Sequence, residues 1–186
     1  MELKDIIKSC TKNDRQAQKQ LFLKYKDILF ALCLKYCRNE AEAEDNLHDS
    51  FITIFQNIKK YNSKGSFEGW MKRITINKAI DKYKKKKQIP IEIINDLQED
   101  TQMKVNKRNV DLNQILSCIQ NLPNQYRLVF NMYQLDGYSH REIAQSLSIS
   151  ESTSKSNYHR AKIILKQKIT DIQLPDTPHK KQSNGA

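Results

Sequence analysis

The sequence predicts an all-α protein: two small helical domains joined by a flexible linker, the second carrying a helix-turn-helix. Three observations point that way. Only four glycines and four prolines occur in 186 residues rich in Leu, Ile, Lys, Gln and Glu, a composition that favours helices joined by short turns. Apolar residues recur at three- and four-residue steps, with no strand-like alternation between them. That periodicity lapses between Gln88 and about Asn109, where Pro90 sits among mixed charges. The expected boundaries are a first domain over 1–88, a linker over 89–110, a second domain over 111–170 and a disordered tail over 171–186.

Leu3, Ile6, Ile7 and Cys10 predict a short first helix, and Leu21, Tyr25, Ile28, Leu29, Leu32, Cys33 and Tyr36 draw one stripe down a long second one. Asn39 is an N-cap for a third helix. Glu40, Glu42 and Glu44 stand in or near its first turns, where the dipole favours negative charge. Its expected buried stripe is Leu47, Phe51, Ile54, Phe55 and Ile58. Asn62-Ser63-Lys64-Gly65 breaks the pattern, and Ser66 caps a fourth helix running through Trp70 and Ile74 to the lysine run Lys84 to Lys87. In the second half, Asp111 and Gln114 form a capping box for a helix with Leu112, Ile115, Leu116 and Ile119 that stops at Leu122-Pro123. A helix with Tyr126, Val129, Phe130 and Tyr133 follows and ends at Gly137.

Composition narrows the function classes. Thirty-two basic against 21 acidic side chains leave a net charge of +11, which favours a polyanionic partner, either nucleic acid or acidic lipid. No apolar run approaches the ~20 residues of a membrane-spanning helix, so no membrane insertion is expected. The polar start Met1-Glu2-Leu3-Lys4-Asp5 is unlike a secretory signal, and a cytoplasmic location is expected. Cys10, Cys33, Cys37 and Cys118 lack the density of a disulfide scaffold and read as reduced thiols. Cys33 and Cys37 could share a metal with His48, but they lie on or beside the apolar stripe and no second pair matches them, so no metal or cofactor is expected. A nuclease built on Glu42, Asp45 and Asp49 lacks a convergent histidine set, and no enzyme is expected.

The most specific signal begins at Ser139, whose hydroxyl caps a helix while Glu142 reaches back. Ile143, Ala144 and Leu147 form its inner face, Ser148-Ile149 makes a tight turn, and Ser150 caps a second helix. That helix keeps Tyr158, Ala161 and Leu165 on one side and projects Ser152, Lys155, Ser156 and His159 on the other, with Arg160 and Lys162 flanking. Two short helices with small inner residues, two caps and a basic outer face suit reading of the DNA major groove. The competing reading is a helical hairpin whose polar residues merely face water.

The first domain offers two further surfaces. On the third helix, Asp45, Asp49 and Gln56 lie opposite the Leu47 stripe, with Glu42 beside them and Ile52 in their midst. An apolar side chain among acidic ones points to a protein-binding face with a basic complement, against the reading of a solvated face. The fourth helix begins with Phe67 and Trp70 and carries Lys72, Arg73, Lys78, Lys82 and Lys84 to Lys87, preceded by the loop Tyr61 to Gly65, with Asn62 and Lys64 in it. Aromatics beside a basic track suit unstacked bases and their phosphates. Phe67, Trp70 and Ile74 share one helical face, however, and serve equally well as core.

The order of these features resembles the extracytoplasmic-function sigma factors. The resemblance is carried by Ala43-Glu44-Asp45, Asp49-Ser50-Phe51, Phe67-Glu68-Gly69-Trp70, Ile74, Asn77 and Asp81 in the first half. In the second half it is carried by Leu122-Pro123, Arg127, Phe130, Gly137, Ser139, Glu142-Ile143-Ala144, Leu147, Ser150, Thr153 and Arg160-Ala161. It implies that Glu42, Asp45, Asp49, Ile52 and Gln56 dock on core RNA polymerase. Tyr61, Asn62, Lys64, Trp70 and Arg73 would capture the melted non-template strand at the minus-ten element, and Lys78, Lys82, Lys84 and Lys85 would hold its backbone. Ser152, Lys155, Ser156, His159 and Arg160 would read the minus-thirty-five element of promoter DNA as duplex. An anti-sigma partner is implied as well. Two positions depart from the family pattern: His48 stands where glutamine is usual, and Ser154 replaces the customary valine, leaving a hydroxyl that needs a partner. The rival reading is a helix-turn-helix regulator that binds duplex DNA without polymerase.

Overall fold

Side-chain caps start most of the helices. Asp14 accepts from the amides of Gln16 and Ala17 at 2.8 and 3.1 Å, and Asn39 from that of Glu42 at 2.9 Å. Ser66 accepts from Gly69 and Ser150 from Thr153, each at 3.0 Å. A side chain at Gly69 would place its Cβ 2.9 Å from Ser66 Oγ, so only glycine lets this cap close without displacement.

In the computed structural model, residues 2–86 and 110–173 are described. These residues form helices and no strands: α1 (Leu3–Cys10), α2 (Arg15–Tyr36), α3 (Glu40–Asn57), a 3-10 turn (Ile58–Lys60), α4 (Phe67–Lys86), α5 (Leu112–Gln120), α6 (Asn124–Phe130), a π-helical turn (Asn131–Leu135), α7 (His140–Leu147) and α8 (Glu151–Gln173). The all-α expectation holds. Helix α8 continues to Gln173, three residues beyond the expected end of the second domain. The expected linker up to residue 109 and the tail from residue 174 lie outside the described residues.

Helices α1–α4 enclose one core built on Leu21, Leu29, Phe51, Ile54, Ile58 and Met71. The buried face of α3 is rotated from the expected stripe. Ala43, Asn46 and Ser50 are fully buried with Phe51, Ile54 and Ile58, whereas Leu47 and Phe55 are only partly covered. Asn46 tolerates burial because its Nδ2 donates to the Thr75 carbonyl at 3.1 Å and to Cys33 Sγ at 3.4 Å, while Ser50 donates to the Asn46 carbonyl at 2.6 Å. All four cysteines are buried and unbridged. Burial pushes the Cys10, Cys33 and Cys37 thiols up, the last to about 12.

Helices α5 and α8 pack through Cys118, Ile119, Leu122, Ala161 and Leu165. The two halves also share a core, in which Leu32, Tyr36, Ile76, Ala79, Ile80 and Tyr83 meet Leu128, Val129, Met132, Ile143 and Leu147. Arg127 stands at this seam, 4% exposed. Its Nε donates to the Tyr36 carbonyl at 3.2 Å, its Nη1 to the carbonyls of Gln120 and Leu122 at 2.9 and 3.1 Å, and its Nη2 to Asn124 Oδ1 at 2.9 Å. Burial, aided by the nearby charge of Arg38, lowers its pKa to about 10. The sequence marked Arg127 as part of a pattern, and the structure supplies its physical reason.

Candidate nucleic-acid and polymerase surfaces

The helix-turn-helix forms through local hydrogen bonds. Ser139 Oγ accepts from the Glu142 amide at 3.2 Å and the Ser139 amide donates to Glu142 Oε2 at 2.9 Å, completing the reciprocal box. The Ser139 amide, together with its hydroxyl donating to Glu142 Oε2 at 2.7 Å, holds the Glu142 carboxyl below its ordinary range. Ser148 turns the chain in the left-handed region at φ +56°, and the Ile149 amide returns to the Ala144 carbonyl at 3.0 Å. Ser154, Asn157, Ala161 and Leu165 face inward from α8, leaving Ser152, Lys155, Ser156, His159 and Arg160 on the exposed side.

The hydroxyl of Ser154, fully buried, finds its partner in His140 Nδ1 at 2.9 Å. The His140 ring in turn stacks on Tyr133, with centroids 4.2 Å apart and planes 11° from parallel. Burial, followed by the charge of Lys155 and opposed by Glu151, keeps His140 below the ordinary histidine pKa. Several of the expected base readers already hold intramolecular bonds: the Ser152 and Ser150 hydroxyls share a bond at 2.8 Å, Ser156 Oγ donates to the Ser152 carbonyl at 2.9 Å, and Arg160 Nη1 donates to the Tyr126 hydroxyl at 3.2 Å. Lys155 and His159 project from the exposed face between them.

On α3, Asp45, Ile52 and Gln56 are exposed, and Glu42 and Asp49 are half-buried. Ile52 retains 43% exposure, so the helical phase inferred for it holds. Asp49 pairs with Lys82 of α4 at 2.9 Å. The hydrogen bond from Lys82 is the main reason its carboxyl sits below the ordinary range. The structure therefore joins two residues that the sequence assigned to different surfaces. His48 is exposed next to this face.

The loop before α4 is closed by the Tyr61 hydroxyl donating to the Gly65 carbonyl at 2.9 Å and by the Lys64 amide donating to Asn62 Oδ1 at 3.1 Å. Gly65 has φ +94°, the conformation glycine adopts most readily. Tyr61, Phe67 and Trp70 form one aromatic cluster, with centroids 4.9–5.6 Å apart. Phe67 is core, while Tyr61 and Trp70 remain half-exposed at its rim. Beyond them Arg73 and Lys85 are exposed and Lys78, Lys82 and Lys84 are half-buried. Such an arrangement can stack on an unpaired base and neutralise phosphates along the same helix.

Comparison with known proteins gives these surfaces a context. The family descriptions "Sigma-70 region 2" and "Sigma-70, region 4" match residues 21–89 and 112–165. The ECF RNA polymerase sigma factor SigW of Bacillus subtilis is 30% identical over 189 residues, which cover 92% of this chain and 99% of that protein. The ECF RNA polymerase sigma-E factor of Haemophilus influenzae is 23% identical over 180 residues, 90% of this chain and 95% of its own. Among solved structures, the sigma factor RpoE in its co-crystal with the anti-sigma factor NepR from Bartonella quintana superposes with a TM-score of 0.52 at 18% identity. That match covers 81% of this chain and 95% of RpoE and bears on the fold alone. The chain belongs to the ECF RNA polymerase sigma factors.

Proposed function

We propose that this chain binds core RNA polymerase through the outer face of α3, with Glu42, Asp45, Asp49, Ile52 and Gln56 as contacts, and directs it to promoters. In this reading residues 1–88 bind polymerase and melt the minus-ten element, and residues 111–170 read the minus-thirty-five element. Lys155 and His159 donate to base edges in the major groove, with Ser152, Ser156 and Arg160 around them. Tyr61, Asn62, Lys64, Trp70 and Arg73 receive the non-template strand once it is unpaired, and Lys78, Lys82, Lys84 and Lys85 hold its phosphates. The chain performs no chemistry itself and works in the cytoplasm. An anti-sigma protein that covers these faces is a further expected partner, by analogy with the complex of RpoE.

The observation that carries this reading is the pairing of an exposed recognition face on α8 with a half-exposed aromatic rim and lysine track on α4, in one chain of the sigma family. The test is transcription by purified chain and core polymerase on fragmented genomic DNA, with mapping of start sites. Discrete starts that depend on the chain support the proposal. Robust duplex binding without polymerase, together with no stimulated initiation, refutes it in favour of a helix-turn-helix regulator.

A further inference from the structure

From Glu151 to Arg160, the part of α8 that carries the expected base readers, no aliphatic side chain occurs. Its buried residues are Ser154 and Asn157, both polar, and the first buried aliphatic side chain of α8 is that of Ala161. Apolar packing is non-directional, so the core beyond Ala161 does little to fix how this segment is rotated about its own axis. Hydrogen bonds are directional, and they hold the segment instead.

At one point His140, the first residue of α7, stands with its Nδ1 2.9 Å from Ser154 Oγ. Ser154 is fully buried, and among the described residues its hydroxyl has no other hydrogen bond. A buried hydroxyl proton without an acceptor is costly, so Ser154 donates and Nδ1 accepts, which leaves the imidazole proton on Nε2. Stacking on Tyr133 holds the ring in that plane. One turn further along α8, the Tyr158 hydroxyl donates to Gln134 Oε1 of the π-helical turn. The Tyr158 ring centroid lies 4.7 Å from that of Tyr133, with Lys162 Nζ 4.9 Å from it on the solvent side of the same helix. Attachments at residues 154 and 158 fall on one face of the helix and remove the segment's freedom to roll. Each is followed directly by an expected reader, Lys155 after Ser154 and His159 after Tyr158.

We propose that His140 and Gln134 are positioning residues for the minus-thirty-five element. Neither reads a base; each sets where one reader stands, His140 through Ser154 for Lys155 and Gln134 through Tyr158 for His159. The inference rests on the proposed function of α8. A roll of that helix by about 20° carries a side-chain end about 6 Å from its axis through about 2 Å, more than a hydrogen bond to a base tolerates. Discrimination therefore depends on locked neighbours behind the readers. His140 also feels the charges of Lys155 and Glu151, which places it beside the first reader. Valine, customary in the family at position 154, makes no side-chain hydrogen bond, so this attachment belongs to the chain's own way of reading DNA.

The test is initiation by the chain with core polymerase on a promoter library randomised over the minus-thirty-five element, read as base preference at each position. Lys155→Ala and His159→Ala, made separately, first mark the positions that each reader governs. His140→Phe keeps a ring against Tyr133 but offers Ser154 no acceptor. It should cut preference at the Lys155 positions at least about threefold and leave the His159 positions within about 1.5-fold. Tyr158→Phe removes only the bond to Gln134 and should do the reverse. His140→Asn returns an acceptor near the place of Nδ1 without a ring and should restore at least about half of the lost preference. The opposite order, with phenylalanine tolerated and asparagine not, means that the ring only packs, and it overturns the proposal, as does an equal loss at every position. Nitrogen-15 spectra of the parent chain give a measure independent of any variant's folding: the neutral His140 ring should carry its proton on Nε2, and a proton on Nδ1 overturns the attachment as drawn. If no start site depends on the chain, the functional reading falls and this inference with it. Specific starts whose base preferences neither phenylalanine variant moves refute this inference alone.

Discussion

Replacing Arg127 by methionine measures the buried hydrogen-bond hub that ties the start of α6 to the ends of α5 and α2. The substitution keeps an unbranched side chain but removes four hydrogen bonds, three of them to the carbonyls of Tyr36, Gln120 and Leu122. A buried acceptor left without a donor costs about 1–3 kcal/mol, so three cost about 6 kcal/mol at the middle of that range. Opposing this, burial already holds the guanidinium pKa at about 10. Removing that charge relieves roughly 3 kcal/mol of desolvation. The net expectation is a loss of about 3 kcal/mol, which for a chain of this size lowers Tm by roughly 6–12 °C. Thermal melts followed by far-ultraviolet circular dichroism measure it. Arg127→Lys keeps the charge but not the planar fork and should recover less than half of the loss. A Tm within about 2 °C of the parent for Arg127→Met would refute the reasoning, because it means that water reaches the vacated carbonyls freely.

Ile52→Asp should weaken polymerase binding at least about tenfold in a pull-down or fluorescence titration while changing stability by less than about 0.5 kcal/mol, since exposed positions tolerate substitution. Unfolding of that variant would refute the exposed placement. Lys155→Ala with His159→Ala should redistribute transcription among promoters, whereas Lys85→Ala should weaken binding on all of them and reduce the salt slope by about one. Equal losses on every promoter from the first pair would remove its reading role. His140 has a folded pKa below its ordinary value of 6.5, so below that value the unfolded chain binds protons more readily than the native one. Stability should therefore fall as pH drops from about 6.5 towards the lowered folded value, and His140→Asn should flatten that slope in denaturant titrations at several pH values.

Local chemistry was the legible part of this sequence. Asn39, Ser66, Ser139 and Ser150 each bond within three or four residues, so their caps could be read from short windows, and the exposed phase of Ile52 followed from α3 alone. The buried face of α3 was less legible. Asn46 and Ser50 are polar; the Thr75 carbonyl and Cys33, on two other helices, take the Asn46 amide, and Ser50 donates back to the Asn46 carbonyl of its own helix. The spacing of Ala43, Asn46, Ser50 and Ile54 carried the signal, as a run of small or polar residues at three- and four-residue steps. The same holds for the partner of Ser154 and for Arg127: both depend on groups in other elements, which no helical pattern specifies. Two domains joined by a flexible linker were expected from the lapse in periodicity, but the contact between them was not legible: Ile76, Ala79 and Ile80 continue the apolar face of α4 towards Leu128 and Ile143.

The buried cysteines have a practical consequence. With their thiols sheltered in the core and three of them further discouraged from ionising, maleimides and mild oxidants find little to attack at neutral pH. A single cysteine introduced on an exposed helix face would then be the preferred point of attachment for a dye. Movement of one domain against the other becomes measurable in the otherwise native chain, without first stripping it of sulfur.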